Sequence, residues 1–498
     1  VPRSTPNIAA ALDLGSNSFH MIVARIEEGQ LAVIDRLRDA IRLADGIDSD
    51  GNITPETMTA AVSCLERFGQ RLADFPPGSV RAVGTNTLRN CGNSEEFLNK
   101  AEAALGHPID IIAGVEEARL IYLGVSQSLA INDQNRLVMD IGGSSTELII
   151  GHGYTPEYME SMEMGCVSVS RRFFPDGVVT PKRIDKARIF CLTELEPHIS
   201  NFLGLGWQEA IGASGTIRSV QKVITAAGWS TGDITKDCLK EILDAFIDAG
   251  EIDLVKLDGL TDERRPVFIG GVIIMLATFE ALGIKSMAVS DRALREGLLH
   301  DMLERFLDHD VRDQSIAHLA KRYHADKAQA ERVKQTALAL LPTVAQQWKL
   351  DIDEAENWLE WAAELHEIGL DIAHSRHHHH AAYIIEHSDL AGFSQQEQLL
   401  LATLVRSHRR KLPLKLYKEL PKRISKPVKR LAAILRLAII LNRNRNDTAL
   451  PPLKLDVNEK TLQLEFPPDW LAQHPLTLAD LEAEAAYLNS AGFTLELS

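Results

Sequence analysis

Two stretches of the chain, ALDLGSNSFHMIVARI (11–26) and VMDIGGSSTELIIG (138–151), align without a gap. Asp13 falls on Asp140, Gly15 on Gly142, Ser18 on Ser145, and Met21-Ile22-Val23 on Leu148-Ile149-Ile150. Each copy reads as a strand, a tight glycine turn and a return strand. Such an echo marks a duplicated α/β unit, with a cleft between the two copies. At 498 residues the chain exceeds what one core supports, so further domains are expected.

The first 300 residues continue that texture. Strand-like runs such as LAVIDRL, SVRAVGT, IDIIAG, EAIGASG and SMAVS alternate with helical runs such as PETMTAAVSCLERFGQRLADF and SEEFLNKAEAALG. This alternation defines an α/β class. From about residue 305 long 3.6-period helices take over, and KLDVNEKTLQLEF near the end alternates like a hairpin. The expected domains are two α/β halves over 1–127 and 128–303, a helical domain over 304–446, and a small α+β domain over 447–498.

Several classes are excluded early. The five cysteines are scattered with no CxxC pair, which argues for a reducing compartment and against a disulfide framework or zinc site. VPRSTPNIAAALDLG runs into a strand pattern rather than a secretory signal, so a cytoplasmic location is expected. The most apolar window, 267–284, carries Glu280 and a glycine pair, and reads as a buried helix rather than a transmembrane segment. A net charge of −16 argues against general nucleic-acid binding. Against that acidic background, 406–430 holds eleven Lys/Arg and the single acid Glu419. Two readings stand for it: a strip for one polyanion, or a solvated, Pro-broken loop.

The paired turns suit a phosphate chain. Glycines let backbone N–H groups approach an anion, and hydroxyls add donors. The phosphate-binding candidates are therefore Gly15, Ser16, Asn17 and Ser18 in the first turn, and Gly142, Gly143, Ser144 and Ser145 in the second. A carboxylate at a strand end repels phosphate unless Mg2+ lies between them, which makes Asp13, Asp140 and Glu147 candidate metal-side acids. AIGASGTIRSV opens a helix with Gly212, Ser214, Gly215 and Thr216, a third anion-type loop. DRALREGLL (291–299) reads as a structural cap near the cleft. Glu116 and Glu117 sit in a first helical turn, where carboxylates offset the helix dipole or could orient an attacking water. Arg89 follows another strand end and suits a phosphate clamp.

DLGSNSFHM, GTNTLR, GVEEARLIYLGV, DIGGSSTEL, MGCVS, GASGT and ALREG, in this order, resemble the exopolyphosphatase/guanosine pentaphosphate phosphohydrolase family. LHEIGLDIAHSRHHHHAAYIIEHSDLAGF and ATLVRSHRRK are similar to the C-terminal region of long bacterial exopolyphosphatases. The resemblance implies duplicated actin-like (ribonuclease H-like) α/β domains, then an HD-like helical domain. It implies Mg2+, stimulation by a monovalent cation such as K+, and a homodimer. It favours hydrolysis of inorganic polyphosphate to orthophosphate, with conversion of guanosine pentaphosphate to tetraphosphate as the alternative; a kinase and a non-catalytic sensor rank lower. It puts the base on Glu117, a choice over Glu116 that the residues alone leave open, and implies a cytoplasmic enzyme, with peripheral membrane association as the second location. One departure is Ser144, where the family usually has glycine. A second is LHEIG, where His366 is followed by Glu367 instead of the aspartate of a metal-binding HD site. The His377–His380 run reads first as a surface loop, with metal binding or a polyanion channel (His378, Arg409, Arg410) as alternatives.

Overall fold

The computed structural model describes residues 7–27, 30–76, 78–129, 134–306, 310–446 and 450–498. The first six residues and the expected boundary at 446/447 lie at or outside those limits. The chain divides into two compact units, Val1–His309 and Asp310–Ser498.

The first unit contains two sheets of matching design. One comprises β1 (Ile8–Leu14), β2 (Phe19–Glu27), β3 (Gln30–Asp39), β4 (Val80–Gly84) and β5 (Ile109–Ile111), in the order β3-β2-β1-β4-β5. The other comprises β6 (Asn135–Ile141), β7 (Thr146–His152), β8 (Thr155–Met162), β9 (Glu209–Ala213), β10 (Ile234–Thr235) and β11 (Ser286–Val289), in the order β10-β11-β9-β6-β7-β8. In each, an antiparallel meander meets parallel crossover strands beside its first strand. The duplication legible in the two hairpins therefore extends to whole sheets.

Strand alternation explains how the sheets pack. On β1, Ala10, Leu12 and Leu14 face a core with helix Pro55–Leu72, whereas Ala9 and Ala11 face the opposite side. On β6, Leu137, Met139 and Ile141 face the second lobe's own core, and Val138 faces the other way. The two inner faces meet in one shared cluster that also includes Ile22, Ile112, Ile149 and Leu298. Successive side chains on opposite faces make this three-core arrangement possible. Helix Arg265–Leu282 is apolar on every side and lies in the second lobe's core, as expected for the 267–284 window. It is the single described helix long and apolar enough to cross a membrane, and most of it is buried inside the protein.

The elements refine three expectations. Residues 294–303, grouped by sequence with the second α/β half, belong to helix Leu294–Phe306, which packs on helix Gly114–Ser126 and β1. The reason is steric: Gly297 lies against the Leu120 carbonyl and Gly124 against that of Ala293, so only glycine permits the crossing. The expected boundary at 304 consequently falls inside a helix. Second, β12 (Lys454–Asn458), β13 (Thr461–Glu465) and β14 (Thr494–Leu497) form a small sheet whose Leu455, Leu462 and Leu464 join the core of the preceding helices. The tail is thus part of one unit with the helical region, held also by buried Arg436, which donates to both carboxylate oxygens of Glu484. Third, the basic strip 406–430, which carried two readings, spans the end of helix Gln395–Ser407, the short helix Leu416–Glu419 and the first turns of helix Lys422–Leu441.

Candidate active site

The duplicated hairpins bring their turns together. Asp13 pairs across the strands with His20, and Asp140 with Glu147. The Gly142 N–H donates to the Ser145 carbonyl at 2.9 Å, closing the second turn. A Cβ on Gly143 would lie 3.0 Å from the Ser16 Cβ, so this glycine permits close approach of the two turns. Thr87 Oγ1 donates to Ser16 Oγ at 2.7 Å, and Ser144 Oγ donates to the same atom at 3.3 Å. Ser144 lies outside the left-handed backbone region, so glycine is not required there. Its hydroxyl links the two hairpins.

Around these turns lies a cleft of about 210 Å3. Asp13, Glu117 and Asp140 line it with Gly15, Ser16, Asn17, Ser18, Gly142, Gly143 and Ser145, and with Ser214, Gly215 and Thr216 of the third loop. Burial pushes Asp140 up to about 7, with Glu117 and Asp13 adding repulsion; burial likewise pushes Asp13 up to about 7, against the pull of Arg295. Glu117 is raised by burial and partly restrained by Arg89. Glu147 lies behind the second turn, 1% exposed, accepting from Ser161 Oγ at 2.9 Å, and burial with its acidic neighbours raises it well above the usual range. Crowded buried acids are a hallmark of sites that use ionisation or hold cations.

Two assignments change in detail. Gly212 does not line the cleft: a Cβ there would strike Ile217 and Met287, so this glycine serves packing beneath the loop. Its neighbour Ser214 holds φ at 86°, a strained conformation for a non-glycine residue at a helix start. Arg89 does not stand free as a clamp: its Nη1 donates to the Ile112 carbonyl at 2.7 Å and to Glu117 Oε2 at 3.0 Å.

The cationic wall was missed by sequence reasoning. Arg38, Arg218, Arg264 and Arg295 line the same cleft as the acids. The Arg264 guanidinium occupies the space where a Cβ on Gly215 would project. Arg295, from the segment read as a cap, lies 2.9 Å from His20 Nδ1. Burial and the surrounding arginines push His20 down to about 3, so it is a neutral acceptor there. The repeat itself carried the clue, because His20 aligns with Glu147.

The second unit has its own basic pocket, of about 560 Å3, which brings together His378, Arg409 and Arg410 with Arg376, Arg406 and Lys411. The His377–His380 run is not a surface loop. It opens helix His377–Glu386, and His377 and His378 are buried beside His408 and His366. Glu367 is paired with Arg445.

The acids of the first cleft are hard oxygen ligands, raised by burial and then by their acidic neighbours, and such donors suit Mg2+. Among the described residues, no three His, Cys, Asp or Glu side chains converge into a preformed metal cage. Magnesium sites that rely on few carboxylates, water and substrate phosphate oxygens need no such cage.

Paired glycine hairpins on a duplicated α/β scaffold line one cleft with buried acids and arginines, a two-lobed arrangement suited to phosphate groups. The Ppx/GppA phosphatase family matches residues 22–306, and the domain III of Ppx/GppA phosphatases matches 311–485. A guanosine-5'-triphosphate,3'-diphosphate pyrophosphatase of Pseudoalteromonas atlantica is 37% identical over 496 residues, spanning 99% of this chain and 98% of the relative. Among solved structures, an Aquifex aeolicus member of the Ppx/GppA family is 25% identical with a TM-score of 0.52, over 60% of this chain and 99% of that one. An exopolyphosphatase of Cytophaga hutchinsonii shares the fold at 22% identity and a TM-score of 0.55, over 60% and 98%. The chain belongs to the Ppx/GppA phosphatase family.

Proposed function

We propose that the protein is a Mg2+-dependent exopolyphosphatase that releases orthophosphate from the end of inorganic polyphosphate. The observation that carries the choice of substrate is the basic pocket of the second unit, where Arg376, Arg406, Arg409, Arg410 and Lys411 surround His378. A short nucleotide needs only one anion site, whereas a long polyanion can draw on a second one on the same chain. The second reading, conversion of guanosine pentaphosphate to tetraphosphate, is favoured by the full-length pyrophosphatase relative.

In this mechanism Ser16, Ser145 and the backbone N–H groups of the glycine turns hold the terminal phosphate. Asp13, Asp140 and Glu147 would hold Mg2+, which supplies charge neutralisation at the phosphate oxygens. Glu117 accepts a proton from water as the water oxygen bonds to the terminal phosphorus. The anhydride P–O bond breaks, and the shortened chain leaves with the bonding electron pair. Arg218, Arg264 and Arg295 stabilise the charge gathered on that leaving chain.

Orthophosphate release from long-chain polyphosphate and from guanosine pentaphosphate tests the substrate. A higher kcat/KM for guanosine pentaphosphate would overturn the first choice. Affinity for long chains is expected to fall steeply with salt, and Arg406→Gln with Arg409→Gln should flatten that slope. An unchanged slope would remove the second pocket from substrate binding.

The acids also set a sign for cation binding. Asp13 and Asp140 ionise near 4 when unfolded and near 7 in the folded cleft. Their protonation contributes stability that is full below about pH 4 and is lost as pH rises through 7. Magnesium ions relieve the resulting repulsion, so millimolar Mg2+ should raise the melting temperature more at pH 8 than at pH 5.5. An equal or larger shift at pH 5.5 would reject the site.

A further inference from the structure

Behind the cleft lies a charged cluster that the reaction above does not use. Glu116 and Arg119 belong to helix Gly114–Ser126, Asp301 and Arg305 to helix Leu294–Phe306, and Arg81 to β4. Arg119 Nε and Nη2 donate to the two Glu116 oxygens at 2.8 Å each, a bidentate pair. Arg119 Nη2 also donates to Asp301 Oδ1. Asp301 Oδ2 accepts from Arg81 Nη1, and from Arg305 Nε at 2.9 Å. Asp301 is 1% exposed and Glu116 2%. Burial alone would raise the Asp301 carboxyl, but Arg305, Arg119 and Arg81 together hold it well below its ordinary value. The three guanidiniums therefore favour its ionised form.

Buried ion networks are poor devices for stability, since well-packed apolar groups of the same volume do as well or better. What they add is direction: a bidentate Arg–carboxylate pair accepts a narrow range of orientations. Here that direction is imposed on the first turn of the helix that carries Glu117. Glu116 and Glu117 are consecutive, so their side chains diverge by about 100° around the helix axis. Fixing Glu116 on the cluster anchors the helical turn from which Glu117 projects, while Arg89 holds the Glu117 carboxylate itself. The other partner, helix Leu294–Phe306, presents Arg295 to the cleft at its first turn. The glycine crossing at Gly124 and Gly297 brings the two helices into backbone-to-backbone contact.

We propose that Asp301 is a positioning residue for hydrolysis, acting through Arg119 and Glu116 to aim the Glu117 carboxylate at the attacking water. This rests on the reading of Glu117 as the base. The test is a double-mutant cycle in the full-length protein, combining Asp301→Asn with Glu117→Gln, with orthophosphate release from polyphosphate as the readout. Asp301→Asn should lower kcat by about 10- to 100-fold, the scale of a misplaced catalytic group, with KM changed less than about twofold. In the Glu117→Gln background the same substitution should cost no further activity, because there is no base left to aim. Arg305→Gln, which keeps the Arg81 and Arg119 contacts, should give a smaller loss of kcat in the same direction, and serves if Asp301→Asn does not fold.

Multiplying losses in the double variant would mean that Asp301 is merely structural and would overturn the proposal. So would an Asp301→Asn enzyme with normal kcat. In both cases an inactive Glu117→Gln single variant would leave the base assignment standing. Full activity in that single variant would instead overturn the base assignment on which the proposal depends.

Discussion

Glu117→Gln is expected to lower the rate of orthophosphate release by about 1000-fold while leaving polyphosphate affinity within a few-fold of the parent. A positioned general base contributes typically 10²- to 10⁴-fold, and glutamine keeps the size of the side chain while losing the proton-accepting oxygen pair. The change also frees Arg89, which spends one N–H on the Glu117 carboxylate at 3.0 Å. Loss of that ion pair leaves substrate contacts at the serine turns and arginine wall in place, so binding should persist. Single-turnover release and direct binding of labelled polyphosphate separate the two effects. A Glu117→Gln enzyme within tenfold of parental turnover sinks the assignment. The parental pH profile gives a companion check: burial raises Glu117, so activity should climb with pH at an inflection above the usual carboxylate range.

Acid should loosen the second unit well before it affects ordinary surface groups. Burial pushes His377 down to about 4, with Arg409 adding repulsion, and His378 down to about 3, with Arg406 adding to it; buried His366 and His408 are lowered as well. The unfolded chain takes up protons on these imidazoles near pH 6.5, whereas the folded cluster resists them. The stability this represents is present above about 6.5 and is lost as pH falls through the folded values. The cleft acids of the first unit shift stability in the opposite direction, so a global melt would mix the two. Hydrogen exchange in helices His377–Glu386 and Gln395–Ser407, corrected for intrinsic rates, isolates the effect. Protection there that is unchanged or higher at pH 5 than at pH 7.5 would refute it.

Much of the first unit was readable because it is written twice. A gapless repeat constrains register, and the same register placed Asp13, Asp140, Ser18 and Ser145 on facing turns. The arginine wall was not readable, since Arg38, Arg218, Arg264 and Arg295 come from four separated segments that only tertiary folding brings together. Gly212 and Gly215 look equivalent in AIGASG, yet one accommodates Ile217 and the other an arginine. The histidine run misled for a related reason. Burying His377 and His378 depends on His408 and His366, distant in sequence, and nothing local announces those partners. β8 escaped notice because its mostly half-exposed positions lack a clean alternation.

The core shared by the two lobes has a consequence for synthesis. Ala9, Ile22 and Ile112 close against Leu298, Met302 and Leu303. When Ile112 is translated, Met302 is still about 190 residues away, which at roughly 5–20 residues per second is a delay on the order of 10–40 s. For that interval the nascent first lobe carries an uncovered apolar face, and the ribosome must reach the helix that completes it before the lobe can close.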